Sequence, residues 1–142
     1  MGKVKIKTSD KLFSRCIRER SGWKCERCGG QYEEGTQALH NSHFHGRAKW
    51  GVRFNPDNCE ALCYGCHMYL TAHPVEHTRR MEEKLGDGAF EILLEKARDT
   101  SLGREAKRSE KEIRAHYRIE LARMKELRSQ GEDGRIEFED WM

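Results

Sequence analysis

The chain has 142 residues, 36% of them hydrophobic and 36% charged, with a formal net charge of +3. That length suits one domain with an appended element, and so small an apolar share argues against a large core and for a metal staple. There is no run of 18 apolar residues and no signal-peptide segment, so a transmembrane or secreted protein is not expected.

Residues 1–8 read as a basic, poorly ordered arm. Ser9 or Asp10 is expected to cap a helix running through Arg20, with Leu12, Phe13, Cys16 and Ile17 on its apolar face. Residues 1–24 carry eight Lys/Arg against two acids, a balance that suits a phosphate backbone. Cys25 to Gly30 reads as a knuckle, because glycines after Cys28 permit the tight turn that aims two sulfurs at one metal. A strand is expected over 37–43. A polar loop over 46–58 should contain a short second strand, and a helix should run from near Cys63 to Thr71. Pro74 then opens a helix over 75–85, stopped by Gly86. Asp87 caps another, with Phe90, Leu93, Leu94 and Ala97 as its stripe. A last helix, 104–129, puts Ile113, Tyr117, Leu121, Met124 and Leu127 on one narrow seam. That seam packs either on the domain or on a partner chain, and a homodimer through the C-terminal helices would use it. Residues 132–142 form an acidic tail with five acids and one Arg.

The cysteines carry the strongest local signal. Cys25 and Cys28 form one Cys-x-x-Cys pair and Cys63 and Cys66 a second, with 34 residues between them. Two such pairs in a non-secreted chain fit a four-thiolate zinc site better than disulfides. A closed site of this kind holds structure and has no open position for activating water. Something folded must lie between the pairs. Cys16 and Cys59 lack partners at ligand spacing and read as core residues.

Between and beside the pairs stand His43, Asn58 and His67. The segments Ser42-His43-Phe44-His45-Gly46-Arg47, Asn55-Pro56-Asp57-Asn58 and Leu62-Cys63-Tyr64-Gly65-Cys66-His67 resemble the HNH endonucleases, also called ββα-metal or His-Me finger nucleases. Leu12-Phe13-Ser14, Trp23-Lys24-Cys25-Glu26-Arg27-Cys28-Gly29, Arg53-Phe54 and His73-Pro74-Val75-Glu76 look like phage-type zinc-ribbon HNH proteins, which include the NinG (Rap) recombination group. The resemblance covers about residues 9–86.

This resemblance implies an α+β fold in which a small ββα-metal HNH core is clamped by a four-cysteine zinc ribbon, with appended C-terminal helices. The implied organisation is a basic arm and helix (1–24), a zinc-ribbon nuclease core (25–73), a helical extension (74–131) and the tail (132–142). It implies a metal-dependent DNA endonuclease that nicks or cuts double-stranded DNA, leaving 5′-phosphate and 3′-hydroxyl ends, in the cytoplasm of a bacterial or phage-infected cell. His43 would be the general base, since a neutral imidazole titrates near physiological pH. His67 would hold a catalytic Mg²⁺ or Mn²⁺, or another divalent transition metal, and Asn58 would tie the loop to the strand. Many relatives carry an acid or His immediately before the base. Here that position is Ser42, a poor ligand, so His45 is a candidate replacement ligand or a phosphate contact. Arg47, Lys49 and Arg53 are candidate DNA contacts, the alternative for the two arginines being a salt bridge that organises the loop. The rival reading is a non-catalytic DNA-binding or recombination accessory protein with a degenerate site. His40, His77 and His116 read as ordinary surface or core residues.

Overall fold

The computed structural model describes residues 4–142, so the first three residues of the expected basic arm lie outside the described residues. Helix α1 (Thr8–Arg20) begins slightly earlier than expected. Lys7 occupies the cap position and Asp10 lies inside the first turn, where its carboxylate accepts from the Lys7 backbone N–H at 2.8 Å. Phe13, Cys16 and Ile17 are buried on its inner face, and Leu12 is partly buried. The chain leaves α1 through two consecutive left-handed residues, Gly22 (φ 68°) and Trp23 (φ 59°). The second is unusual for a bulky side chain. It is held by the Trp23 Nε1–H bond to Glu19 at 2.8 Å and by Arg18 stacked over the indole.

Strands β1 (Leu39–His43) and β2 (Cys59–Cys63) form a two-stranded antiparallel sheet, with Leu39 opposite Cys63 and His43 opposite Cys59. The second strand, expected within 46–58, instead follows that segment. Residues 46–55 are occupied by successive turns: Lys49, Val52 and Asn55 donate their N–H groups to the carbonyls of Gly46, Lys49 and Val52. Asn55 then caps a 3-10 turn, Pro56–Asn58, by accepting from the Asp57 N–H at 2.9 Å. Gly51 is required in this loop, because a Cβ there would sit 2.3 Å from the Lys96 carbonyl oxygen.

Helices α2 (Tyr64–Ala72), α3 (Pro74–Leu85) and α4 (Asp87–Arg98) follow as expected, with Pro74 at the first position of α3 and Gly86 (φ 82°) ending it. Gly86, rather than Asp87, is the cap of α4. The expected single helix over 104–129 is two, α5 (Thr100–Arg108) and α6 (Glu110–Ser129). Asp99 starts α5 by accepting from the Leu102 N–H. Ser109 breaks the run, with its N–H shared between the Glu105 and Ala106 carbonyls.

The seam of α6 packs inside the chain. Ile113, Tyr117 and Met124 are fully buried against α1, and the Phe13 and Tyr117 rings lie 4.9 Å apart. That seam is therefore occupied within the chain. The acidic tail also joins this core: Ile136 and Phe138 are buried, and the Ile136 N–H bonds to the Arg20 carbonyl at 3.1 Å. One apolar cluster thus contains residues from all four expected stretches, with a smaller one around Val52, Leu93 and Ala97. Among the described residues no helix is long and apolar enough to cross a membrane.

Candidate metal centres and the hairpin site

The two cysteine pairs meet. The Sγ atoms of Cys25, Cys28, Cys63 and Cys66 all lie within 4.8 Å of one another, and Cys28 and Cys63 are 3.9 Å apart. Four sulfurs about 2.3 Å from one zinc ion in a tetrahedron are about 3.8 Å apart, so the cluster fits a structural metal such as zinc. The knuckle closes as its glycines require, with Gly29 at φ 79°. Its edge is fastened to β2 by the Glu26 N–H bond to the Ala61 carbonyl. Cys63 caps α2, its Sγ accepting from the Cys66 N–H at 3.5 Å, and Arg27 Nη1 donates to Cys66 Sγ at 3.4 Å. A zinc ion with four thiolates carries net negative charge, which the α2 N-terminus and Arg27 offset.

Burial works against ionising Cys25, but N–H groups of the cluster bring its thiol down to about 7. Burial and the neighbouring thiols push Cys66 up to about 12. Four packed thiols cannot all lose their protons without a cation among them, which is the chemistry a divalent ion supplies. Cys16 and Cys59 are buried elsewhere in the core, and burial pushes both up to about 12. They behave as inert core thiols, as expected.

The hairpin presents His43 at the end of β1. Its Nε2 lies 3.1 Å from the Arg53 carbonyl oxygen. A carbonyl only accepts, so Nε2 carries the proton and Nδ1 keeps its lone pair. Burial, with Arg47 beside it, lowers His43 to about 4, so the ring is neutral at physiological pH. Asn58 is fully buried, immediately before β2, and its amide bonds to the loop that follows β1. Its Oδ1 accepts from the His45 N–H at 2.8 Å, and its Nδ2 donates to the carbonyls of His45 and Val52 at 2.8 and 3.1 Å. Its own carbonyl accepts from the Phe44 N–H. This amide fixes the backbone immediately after His43.

His67 stands on the first turn of α2, and its imidazole meets that of His40, Nδ1 to Nδ1 at 3.0 Å. Sequence reasoning missed His40. The signal was available in the strand period: His40 and Ser42 project from the same face of β1, so the position lacking an acid has a histidine two residues before it. His45, the expected replacement, lies beyond the end of β1, where strand alternation no longer applies. Its ring packs edge-on against Phe44, and Lys49 and Arg98 beside it add to burial in lowering its pKa. Cationic neighbours suit a phosphate and oppose a metal ion. Among the described residues, no hydrogen bond joins His43, His45 and His67 to one another.

The expected DNA contacts separate. Lys49 is exposed. Arg47 is half-buried, with its Nε 3.9 Å from Asp10. Arg53 is 2% exposed and donates to both Asp10 oxygens at 2.9 and 2.6 Å and to the Lys5 carbonyl at 2.8 Å. Its guanidinium also stacks 4.2 Å from the Trp50 ring centroid. Arg53 is therefore the salt bridge that organises the loop, with its Nε and Nη2 donors spent on Asp10 and Lys5.

A family model described as Bacteriophage Lambda NinG protein matches residues 3–133. No curated protein and no solved structure matches the chain.

Proposed function

The chain belongs to the NinG family of phage recombination proteins, and we propose that within it this protein is a metal-dependent DNA endonuclease of the HNH kind. The observation that carries the reading is the state of His43. Its Nε2–H is committed to the Arg53 carbonyl and its ring is neutral, so the Nδ1 lone pair is left to accept a proton at the loop end of the hairpin, although a value of about 4, well below the near-physiological titration expected from the sequence, makes it a weaker base than an ordinary imidazole. Hydrolysis of a phosphodiester needs such a base to take a proton from the attacking water. Asn58 fixes the backbone that aims it.

His40 and His67 are the residues that would hold the catalytic ion. The pair is joined by a hydrogen bond of 3.0 Å, and two imidazole nitrogens each about 2.1 Å from one ion, at right angles, are also about 3.0 Å apart, so an ion can replace the shared proton with little movement of the rings. The ion would neutralise charge on the phosphate and on the leaving oxygen. Two nitrogen ligands favour Mn²⁺, Co²⁺, Ni²⁺ or Zn²⁺ over Mg²⁺, which narrows the expected choice of metal. The zinc of the four-cysteine cluster would serve as the clamp beneath, since Cys66 is the immediate neighbour of His67 and Cys63 caps the same helix.

Incubation with supercoiled plasmid and a divalent-metal series tests this. The expected products are nicked circles, then linear DNA, with 5′-phosphate and 3′-hydroxyl ends on mapping. DNA that is bound but never cut with any of Mg²⁺, Mn²⁺, Co²⁺ or Ni²⁺ would favour the accessory-protein reading instead.

A further inference from the structure

A cavity of about 280 Å³ opens between the loop after His43 and the junction of α4 and α5. Lys49, Arg98, Arg104 and Lys107 line it, with Asp99 as the lone carboxylate. Asp99 is already engaged in capping α5 through the Leu102 N–H. None of the four cations makes a salt bridge among the described residues, whereas Arg47, Arg53, Arg80 and Arg128 do. Arg104 and Lys107 are one helical turn apart on α5 and share a face. Trp50 forms part of the wall, with Lys107 Nζ 5.9 Å from its ring centroid.

The wall is rigidly positioned. Gly51 packs so tightly on the Lys96 carbonyl that no side chain fits there, and Gly103 lies against Gly51 and Trp50. Such a surface holds four positive charges close together at a cost in self-repulsion. The cations are all exposed and spread around an open mouth, which suits a run of phosphates better than one enclosed anion.

We propose that this cavity is the seat of the DNA backbone: Lys49, Arg98, Arg104 and Lys107 bind successive phosphates of a strand lying across the α4–α5 junction. The proposal rests on the DNA reading of the hairpin site but not on cleavage. It replaces Arg53 with three α4–α5 cations that sequence reasoning did not single out, because residues 98–107 approach Lys49 only in the fold. Free nucleotide or inorganic phosphate offers the same chemistry, and the test separates these sources.

The test measures binding of a fluorescent DNA duplex to the zinc-loaded full chain over a salt series, without added catalytic metal. Arg104→Glu/Lys107→Glu and Lys49→Glu/Arg98→Glu are compared with a charge-matched control, Arg118→Glu/Lys125→Glu, on the exposed side of α6. Each lost phosphate contact lowers the slope of log K against log salt by about 0.9. Each cavity pair should therefore lower the slope by about 2 and weaken binding at least tenfold at moderate salt, and the control should leave both unchanged. Equal losses in the control and cavity variants would overturn the proposal. So would wild-type binding by both cavity variants, or a cavity that binds dinucleotide or inorganic phosphate while duplex affinity is insensitive to it. A wild-type protein that binds DNA through this cavity and never cuts it leaves the proposal standing and removes only the nuclease reading. A wild-type protein that does not bind duplex at all overturns both.

Discussion

His40 on β1 and His67 on α2 face each other nitrogen to nitrogen at 3.0 Å. Two half-buried imidazoles from separate elements are in hydrogen-bond contact, and on the proposed reading a divalent transition metal takes the place of the shared proton. With the zinc site filled, Mn²⁺ titration followed by electron paramagnetic resonance should show one further site. His40→Ala and His67→Ala should each weaken it about a hundredfold or more, since even outer-shell losses reach 10–100-fold. His73→Ala, a nearby exposed histidine, should not. Undiminished Mn²⁺ affinity in His40→Ala would remove His40 from the site.

The cysteine cluster should govern folding. One zinc per chain is expected. Cys63→Ser should lose it and abolish cooperative thermal unfolding, because that residue is both a member of the four-cysteine cluster and the cap of α2 and metal affinity in such sites is folding free energy. Cys16→Ala should keep one zinc and lower stability by about 1–2 kcal/mol, the loss of a small buried side chain. Elemental analysis and calorimetry on the two variants distinguish these roles.

Arg53 and Asp10 form a buried pair whose members are 43 positions apart in sequence. Removing one partner leaves an uncompensated buried charge, so Arg53→Ala should destabilise by about 3–5 kcal/mol. Lys49→Ala, at an exposed site, should change stability by less than about 0.5 kcal/mol. Denaturant melts of both variants test the reassignment of Arg53 from DNA contact to loop anchor.

That pair also illustrates what the sequence could and could not disclose. The Cys-x-x-Cys pairs and the α1 stripe are local patterns, and both were legible. The His43–Asn58–His67 order was legible by resemblance. Two features depend on tertiary partners, and a third leaves no local mark. Arg53 finds Asp10 through the fold, and its turn-rich loop pushes β2 beyond Asn58. The α6 seam finds α1, so it closes the core of one chain. The break at Ser109 has no glycine or proline to announce it, and the helical periodicity runs through it unchanged.

The pH dependence of stability follows from His43. Its folded value is about 4 against 6.5 ordinarily. Between those values the unfolded chain takes up a proton that the native chain refuses. The stability this neutral ring contributes is complete above pH 6.5 and is lost as pH falls towards 4, by about 3 kcal/mol at most. His45, His67 and His77 are lowered in the same direction, chiefly by burial. Glu60 is also lowered: burial opposes it, but its Arg80 bonds prevail, so its contribution is lost at still lower pH. Denaturant melts from pH 7.5 to 4.5 should show falling stability, with a shallower fall in His43→Phe. An identical slope in that variant would contradict the His43 assignment.

The most direct test of the central claim is single-turnover cleavage of supercoiled plasmid with Mn²⁺ by wild-type protein and by His43→Ala, at concentrations where both are fully DNA-bound. The wild type should nick the plasmid, and the variant should bind equally but cut about 10²–10⁴-fold more slowly, the range set by losing a general base. Cleavage by His43→Ala at the wild-type rate would contradict the account.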